Sequence, residues 1–167
     1  TDKGNGVPTG GMGAVCPLSL EPEMKDMILN KIVHPTFKAL KEEELYYKGI
    51  LTFSVIAGNN GPCLVDYHVR LNDPATQAMV PLIRNDLCEL MLAMKNNTLK
   101  QTKLETTGKS SVAVVIASEG YPEDTKVGQK LSEIQPLYMS NAIDNGTLLF
   151  FGAVESRRNG IFTTGGR

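Results

Sequence analysis

The sequence predicts an α+β chain in which an antiparallel sheet with flanking helices is followed by a small β-rich module. Three observations support this class: helical periodicity on both sides of a pair of β-rich runs, a turn cluster between those runs, and short apolar runs between turns in the last third. With 41% hydrophobic residues, the 167 residues can bury one sizeable core. We place a domain boundary after a polar stretch, which gives domains of residues 1–108 and 109–167.

The first helical pattern covers residues 19–45, where Met24, Met27, Ile28 and Ile32 recur at helical spacing. His34-Pro35 interrupts it, because proline lacks an N–H donor and disfavours helix at the preceding residue. We therefore expect a kink or two short helices, with Phe37 and Leu40 of the second facing inward.

Two β-rich runs, residues 50–57 and 63–69, flank a turn cluster at residues 58–62 and predict an antiparallel hairpin. Asp73-Pro74 has the form of an N-cap with a first-turn proline, which predicts a helix through about Ile83.

Asp86 and Glu89 have the spacing of a capping box and predict the start of another helix, which Asn96-Asn97 ends. The apolar residues of that helix, at core spacing, are Leu87, Leu90, Met91 and Met94.

The last third contains a β-branched run, residues 112–116, that we expect to be buried on both faces. Short strands should alternate there with turns, which are Tyr121-Pro122, Asp144-Asn145-Gly146 and Arg158-Asn159-Gly160.

Charge and composition argue against several classes of protein: those that bind nucleic acids or anionic membranes, those that span a membrane and those that are secreted. Seventeen basic and eighteen acidic residues give a net charge of -1, which provides no field for a nucleic acid or an anionic membrane. No apolar run approaches the roughly 20 residues that cross a bilayer, and the N-terminus lacks a signal-peptide pattern, so we expect a soluble, cytoplasmic protein. Cys16, Cys63 and Cys88 have no paired spacing and are expected to be reduced, partly buried thiols. Because the chain begins without Met and ends abruptly, we expect a piece of something longer.

The second β-rich run carries polar side chains in alternation. Asp66, His68 and Arg70 should share one face, since successive side chains of a strand point to opposite sides. A carboxylate and an imidazole can reach one cation, and a guanidinium can grip a phosphate. A metal-bridged phosphate site and a solvated sheet face with a surface ion pair worth less than about 1 kcal/mol both remain open.

The N-terminal glycine-rich segment, residues 4–13, suits a loop held close to a ligand or to another backbone. It is not a P-loop, because no Lys-Ser/Thr follows. An ordinary tight-turn connector is the alternative.

Three motifs occur here in the order found in the phosphoribosylamine-glycine ligase family of ATP-grasp enzymes: residues 9–14 (TGGMGA), 47–51 (YKGIL) and 64–74 (LVDYHVRLNDP). Downstream, residues 84–87, 120–122, 145–146 and 164–167 also resemble that family. The resemblance implies the second half of an ATP-grasp module followed by a β-rich C-terminal module, incomplete at both ends.

The resemblance further implies an activity. ATP phosphorylates glycine, and the amine of 5-phosphoribosylamine attacks the glycyl phosphate, with magnesium or manganese bridging the phosphates. Asp66 and His68 stand at the family's metal-binding glutamate and asparagine, and Arg70 at its phosphate-stabilising, catalytic arginine. Residues implied in substrate or phosphate binding are Thr9, Gly10, Gly11, Met12, Gly13 and Asp73.

Departures from the family lie around the same strand. Aspartate is shorter than glutamate, imidazole offers nitrogen where magnesium prefers oxygen, and Asn72 and Ala75 replace a glycine and an acidic residue. We expect metal binding to be weakened or lost and the isolated chain to be inactive, because the adenine-cradling half of the module is not among these residues. A homodimer could cover the incomplete cleft.

Two alternatives remain open. One is a non-catalytic ATP-grasp relative or interaction module whose metal site has decayed. The other is an ATP-grasp ligase that uses a different amine.

Overall fold

The structure is a computed structural model that describes residues 6–131 and 146–167. Two residues of the predicted turn Asp144-Asn145-Gly146 lie outside the described residues. The chain divides into two compact units. The central unit is Ala14–Ala113, and the terminal unit combines Thr1–Gly13 with Val114–Arg167.

The helices and strands of the described residues form an α+β chain, as predicted. In chain order they are β1 (Gly13–Cys16), α1 (Pro22–Ile28), α2 (His34–Glu42), β2 (Thr52–Gly58), β3 (Gly61–His68), α3 (Ala75–Met79), α4 (Leu87–Lys95), β4 (Ser111–Val114), β5 (Val154–Arg157) and β6 (Gly160–Thr163).

A π-helical turn, Leu29–Val33, connects α1 to α2. The predicted interruption at His34-Pro35 is confirmed, because the hydrogen bonding changes register immediately before the proline, which has no N–H to donate. Ile32 in this turn is buried.

The predicted hairpin is confirmed as the antiparallel pair β2–β3, closed by Asn59 and Asn60. Gly58 faces Gly61 at the turn, and Thr52 faces His68 at the open end. Gly61 has a φ of 99°, a conformation that favours glycine after the tight turn.

One face of the hairpin contacts α2 through aromatic rings. The Phe53 ring lies edge-on to Tyr67, with centroids 5.5 Å apart, and to Phe37 at 6.4 Å. The Tyr67 hydroxyl is 3.0 Å from Thr36 Oγ1. Phe37 nevertheless stays half exposed. The predicted inward position is therefore only partly confirmed, through the contact with Phe53.

The helix predicted from Asp73 to about Ile83 is shorter in the structure. It spans α3 only and passes at Val80–Leu82 into a 3-10 turn, because Pro81 cannot donate a hydrogen bond back to residue 77. The predicted N-cap at Asp73 is wrong: the cap position is Pro74, and Thr76 N donates to Asn72 O at 2.8 Å.

The N-cap at Asp86 predicted for α4 is confirmed. The Asp86 carboxylate accepts hydrogen bonds from Cys88 N at 2.7 Å and Glu89 N at 3.2 Å. The helix ends at Lys95, with Asn96 as its C-cap. Its four predicted core residues line an apolar cavity of about 290 Å³. Three of them are partly buried, whereas Met91 is half exposed.

The run of residues 112–116 is not buried on both faces, contrary to the prediction. Val112, Val114 and Ile116 are all exposed, and Ile116 reaches 83%. β4 pairs edge to edge with β1, and nothing among the described residues covers the face that carries these three side chains.

The terminal unit contains the antiparallel hairpin β5–β6, and the predicted turn at Arg158-Asn159 is confirmed. Residues 128–131 add hydrogen bonds to β6, from Gly128 N to Thr163 O at 2.7 Å and from Leu131 N to Ile161 O at 2.8 Å. Thr163 is buried at this junction.

The three cysteines are free, as expected, but Cys63 and Cys88 are exposed rather than partly buried. Within the described ranges, no helix combines the length and apolar character needed to span a membrane.

Removing the α4 cap tests the local account of the fold. We predict that Asp86→Ala lowers the free energy of unfolding by about 1 kcal/mol, because two N–H groups of the first turn lose their acceptor. Urea denaturation followed by circular dichroism measures this loss. Asp26→Ala is the matched control, since Asp26 lies exposed inside α1 and should be nearly neutral. Equal losses in both variants would contradict the capping role.

Candidate functional site

Asp66 and His68 lie next to each other on one face of the β2–β3 hairpin. Asp66 Oδ2 is 3.9 Å from His68 Nε2. Across the ladder they pair with Ser54 and Thr52, so the face is polar on both strands. The predicted shared face of Asp66 and His68 is therefore confirmed.

The two side chains differ in how they are held. His68 is 27% exposed, and its Nε2 is 2.9 Å from Ser54 Oγ, which fixes the ring against β2. Asp66 is 63% exposed, and its Oδ1 accepts a hydrogen bond from Tyr67 N at 2.8 Å. The carboxylate is thus the more accessible group, and Oδ2 is the oxygen that lies nearer to the imidazole.

A β-bulge determines which side chains belong to this polar face. The register steps from Ser54↔Asp66 to Val55↔Leu64, which leaves Val65 as an extra residue in β3. Since directly paired residues share a face, Leu64 lies on the same face as Val55, Phe53 and Tyr67. Strict alternation would have placed Leu64 beside Asp66, so the bulge keeps an apolar side chain off the polar face.

The sequence predicts that Arg70 shares this face with Asp66 and His68, but in the structure it does not. β3 ends at His68, whose partner Thr52 is the first residue of β2, so the ladder has no partner for residue 70. The Thr52 hydroxyl donates to Arg70 O at 2.9 Å, and Arg70 Nη1 donates to Leu71 O at 3.1 Å. The guanidinium thus lies just beyond the strand end, exposed and turned to its own backbone.

Asp73 follows in the segment before α3. Its Oδ1 accepts a hydrogen bond from Gln77 Nε2 at 2.6 Å. Asn72 Oδ1 and Gln77 Oε1 are buried and have no hydrogen-bond partner among the described residues. These two oxygens could accept hydrogen bonds from a water or from a ligand.

The glycine loop, defined as Thr9, Gly10, Gly11, Met12 and Gly13, belongs to the terminal unit, whereas the polar face belongs to the central unit. Met12 O accepts a hydrogen bond from Val115 N at 3.0 Å, and Gly11 O accepts one from Arg167 Nη1. Thr9 is half-buried, and the other four residues of the loop are exposed. The loop is therefore held from one side by protein donors while most of it stays accessible.

The donor set fits a divalent ion only in part. Among residues 6–131 and 146–167, no group of three or more His, Cys, Asp and Glu side chains could hold a metal. Asp66 supplies the carboxylate oxygen that magnesium prefers, while His68 offers a nitrogen that is already close to the Ser54 hydroxyl. Such a pair would supply only part of the shell of a magnesium ion, so further oxygen ligands would have to come from elsewhere.

Sequence reasoning missed two residues of these surroundings. Ser54 has no motif of its own, and only the β2–β3 register reveals its contact with His68. Arg167 is 156 residues from Gly11, so no local pattern could link the two. The adjacent apolar pair Leu64-Val65 was the one available hint of the bulge.

Comparison with known proteins supports the resemblance. Residues 1–76 match the family model described as "Phosphoribosylglycinamide synthetase, ATP-grasp (A) domain". The chain is 32% identical over its whole length to a phosphoribosylamine–glycine ligase of Fusobacterium nucleatum, of which it covers 39%. It is 34% identical over 99% of its length to the ligase of that name from Caldanaerobacter subterraneus, of which it covers 38%.

A multifunctional relative and a solved structure extend this likeness. The "Trifunctional purine biosynthetic protein adenosine-3" of Chironomus tentans is 33% identical over 99% of the chain, which covers 12% of that protein. The crystal structure of a phosphoribosylamine–glycine ligase from Thermotoga maritima matches 99% of the chain with a TM-score of 0.74 and 26% identity, over 39% of its own length. The chain thus spans about two fifths of the ligases that it matches, and over that span its sequence and fold are similar to theirs.

Proposed function

We propose that this chain is part of an ATP-dependent carbon–nitrogen ligase of the phosphoribosylamine–glycine type. It would supply the second lobe of the ATP-grasp module and most of the adjoining C-terminal module, in residues 1–108 and 109–167. The observation that carries the proposal is the polar face with Asp66 and His68 side by side, in a chain similar along its length to ligases of that name. The substrates would be ATP, glycine and 5-phosphoribosylamine, in purine biosynthesis.

The chemistry asks the protein mainly for positioning and charge neutralisation. A bound magnesium or manganese ion would offset the charge of the ATP phosphates. Asp66 would hold that ion through its exposed carboxylate, with His68 beside it and oriented by Ser54. Arg70, just beyond the strand, needs only to exchange its contact with Leu71 O for a phosphate oxygen.

The remaining site residues would serve the substrate. The glycine loop has no bulky side chain apart from Met12, so its backbone can approach a phosphoribosyl or acyl-phosphate group closely. Asp73, fixed by Gln77 in the segment after Arg70, would position a substrate or phosphate near the strand end. Because these substrates are small and soluble in water, we propose that the protein is located in the cytoplasm.

Metal binding should be weaker than in a site with two oxygen ligands. His68 presents nitrogen, and its Nε2 is engaged with Ser54 Oγ at 2.9 Å. This observation also favours a second candidate function, a non-catalytic relative in which the metal site has decayed.

Nucleotide binding separates the two functions. We predict that the 167-residue chain binds MgATP and that His68→Asn tightens binding by about tenfold, because an amide oxygen replaces an imidazole nitrogen. Asp66→Asn should weaken binding by a similar factor. Titration calorimetry with MgATP measures all three affinities.

The matched controls are His34→Asn and Asp26→Asn, which make the same changes at exposed positions in α2 and α1. Both should leave the affinity unchanged. MgATP binding that is indifferent to residues 66 and 68 would overturn the ligase proposal and favour the non-catalytic relative.

Turnover should be absent in the chain alone. It covers 39% of a similar ligase, so we propose that the remaining part of the nucleotide cleft lies outside these residues. We predict that ATP, glycine and 5-phosphoribosylamine give no glycinamide ribonucleotide above background, as measured by chromatography of the products. Detectable ATP-dependent product would contradict this prediction.

The exposed β4 face suggests a further part of the proposal, a homodimer. Val112 and Val114 leave apolar surface on this strand, and Ile116 just after it extends that surface, which a second copy could cover. We predict twice the chain mass in sedimentation velocity and a shift to the monomer in Ile116→Lys. A wild-type monomer at the highest concentration tested would contradict the dimer.

A further inference from the structure

We propose that the apolar cavity beside α4 is a binding site for an aliphatic carboxylate of medium chain length. The cavity lies within the central unit and has a volume of about 290 Å³. Most of its walls come from α4, from the chain just before this helix and from the chain just after it. The described residues that line it include none of those assigned to the polar face or to the glycine loop, so the inference goes beyond the proposed function.

The walls of the cavity are apolar. Thr102 is the one lining residue with a polar side chain among those that the structure describes. A water molecule held inside a protein usually makes about three hydrogen bonds, and these walls offer few partners for them. Wall atoms that have no neighbour also lose dispersion contacts. An apolar molecule restores those contacts, and the flexible side chains of Met79, Met91 and Met94 can adapt to its shape.

The volume of the cavity sets the size of its occupant. An apolar cavity of about 150 Å³ is large enough to hold benzene. In proportion, about 290 Å³ accommodates roughly twice as many heavy atoms as benzene contains. A saturated carboxylate of about eight to ten carbons has this size.

Positive charge lies next to the cavity where α4 ends. Lys48 Nζ donates a hydrogen bond to Lys95 O at 3.2 Å, directly after Met94 of the cavity wall. Lys100 lies in the 3-10 turn that follows, one residue from the wall at Leu99. Within the described part of the chain, none of these three lysines forms a salt bridge. A carboxylate head group would meet these ammonium groups while its aliphatic chain enters the cavity.

The opposite end of α4 has the opposite charge. Asp86 caps the helix, and Glu89 lies in its first turn. An anionic head group is therefore attracted to one end of α4 and repelled from the other, which orients the ligand. A neutral alcohol of the same chain length has no such preference, so it separates the effect of charge from that of apolar contact.

Titration of the 167-residue chain with octanoate tests the site, and octanol is the uncharged probe. The readout is NMR of isotopically labelled methionine methyl groups. We expect octanoate to shift the Met79 and Met94 signals saturably and to leave Met12, Met24 and Met27, which do not line the cavity, unchanged. Octanol should bind about threefold more weakly, because it lacks the attraction of the head group to the lysines.

Matched substitutions on α4 separate the cavity from non-specific apolar binding. Leu90→Phe enlarges a side chain of the cavity wall and should weaken octanoate binding about tenfold. Leu92→Phe makes the same change at an exposed position of α4 that does not line the cavity. This control should alter the affinity less than twofold.

A second pair of variants tests the charge. Lys48→Gln should weaken octanoate binding about threefold and leave octanol binding unchanged, because only the carboxylate is attracted to the ammonium group. Lys41→Gln removes the same charge from an exposed position of α2 and should change neither affinity.

The inference is overturned if octanoate shifts no cavity methionine, if all methionine signals shift alike, or if Leu92→Phe weakens binding as much as Leu90→Phe. Equal affinities for octanoate and octanol would overturn the assignment of a carboxylate. Met91 and Met94 signals that move with protein concentration alone would show that a second copy covers the cavity, which also overturns the inference. Circular dichroism shows whether each variant folds, and if Leu90→Phe does not, the comparison of Lys48→Gln with Lys41→Gln decides.

Discussion

The pairing of β2 with β3 across a single bulge is the constraint on which the candidate site depends. With Val65 left out of the ladder, Asp66 faces Ser54, while Leu64 shifts to the side of Phe53 and Tyr67. The aromatic side then packs on α2, and the opposite side carries a carboxylate, an imidazole and two hydroxyls. Without the bulge, one of these two surfaces would contain the wrong side chains, since a shift by one residue exchanges the faces of a strand.

The polar face and the glycine loop are built by different means. His68 is oriented by a neighbouring strand, through a hydroxyl that precedes it by 14 residues. Gly11 of the glycine loop accepts a hydrogen bond from Arg167, which is distant in sequence and follows two glycines with positive φ. Ser54 supplies the hydroxyl that contacts His68, whereas Gly10 leaves the space that the Arg167 guanidinium occupies. Mutations that look conservative at these small residues should therefore act on the sites.

Local chemistry made much of the fold predictable. The cap at Asp86, the β2–β3 turn and the break before Pro35 each depend on residues a few positions apart. The predictions were wrong where the length of an element or its burial depends on residues distant in sequence or on a second proline. Pro81 shortens the helix expected after Asp73, and the ladder ends before it reaches Arg70. Val112, Val114 and Ile116 are exposed because nothing among the described residues covers their face. Neither the bulge nor the contact of Arg167 with Gly11 has a sequence pattern that is strong enough to predict it.

Paramagnetic broadening by MnATP tests most directly whether the polar face holds a nucleotide-bound ion. In amide NMR spectra of the chain, we expect substoichiometric MnATP to broaden the signals of Asp66 and His68 before those of α1, which contributes no residue to the proposed ion site. Uniform broadening, or broadening that spares β3, would contradict it.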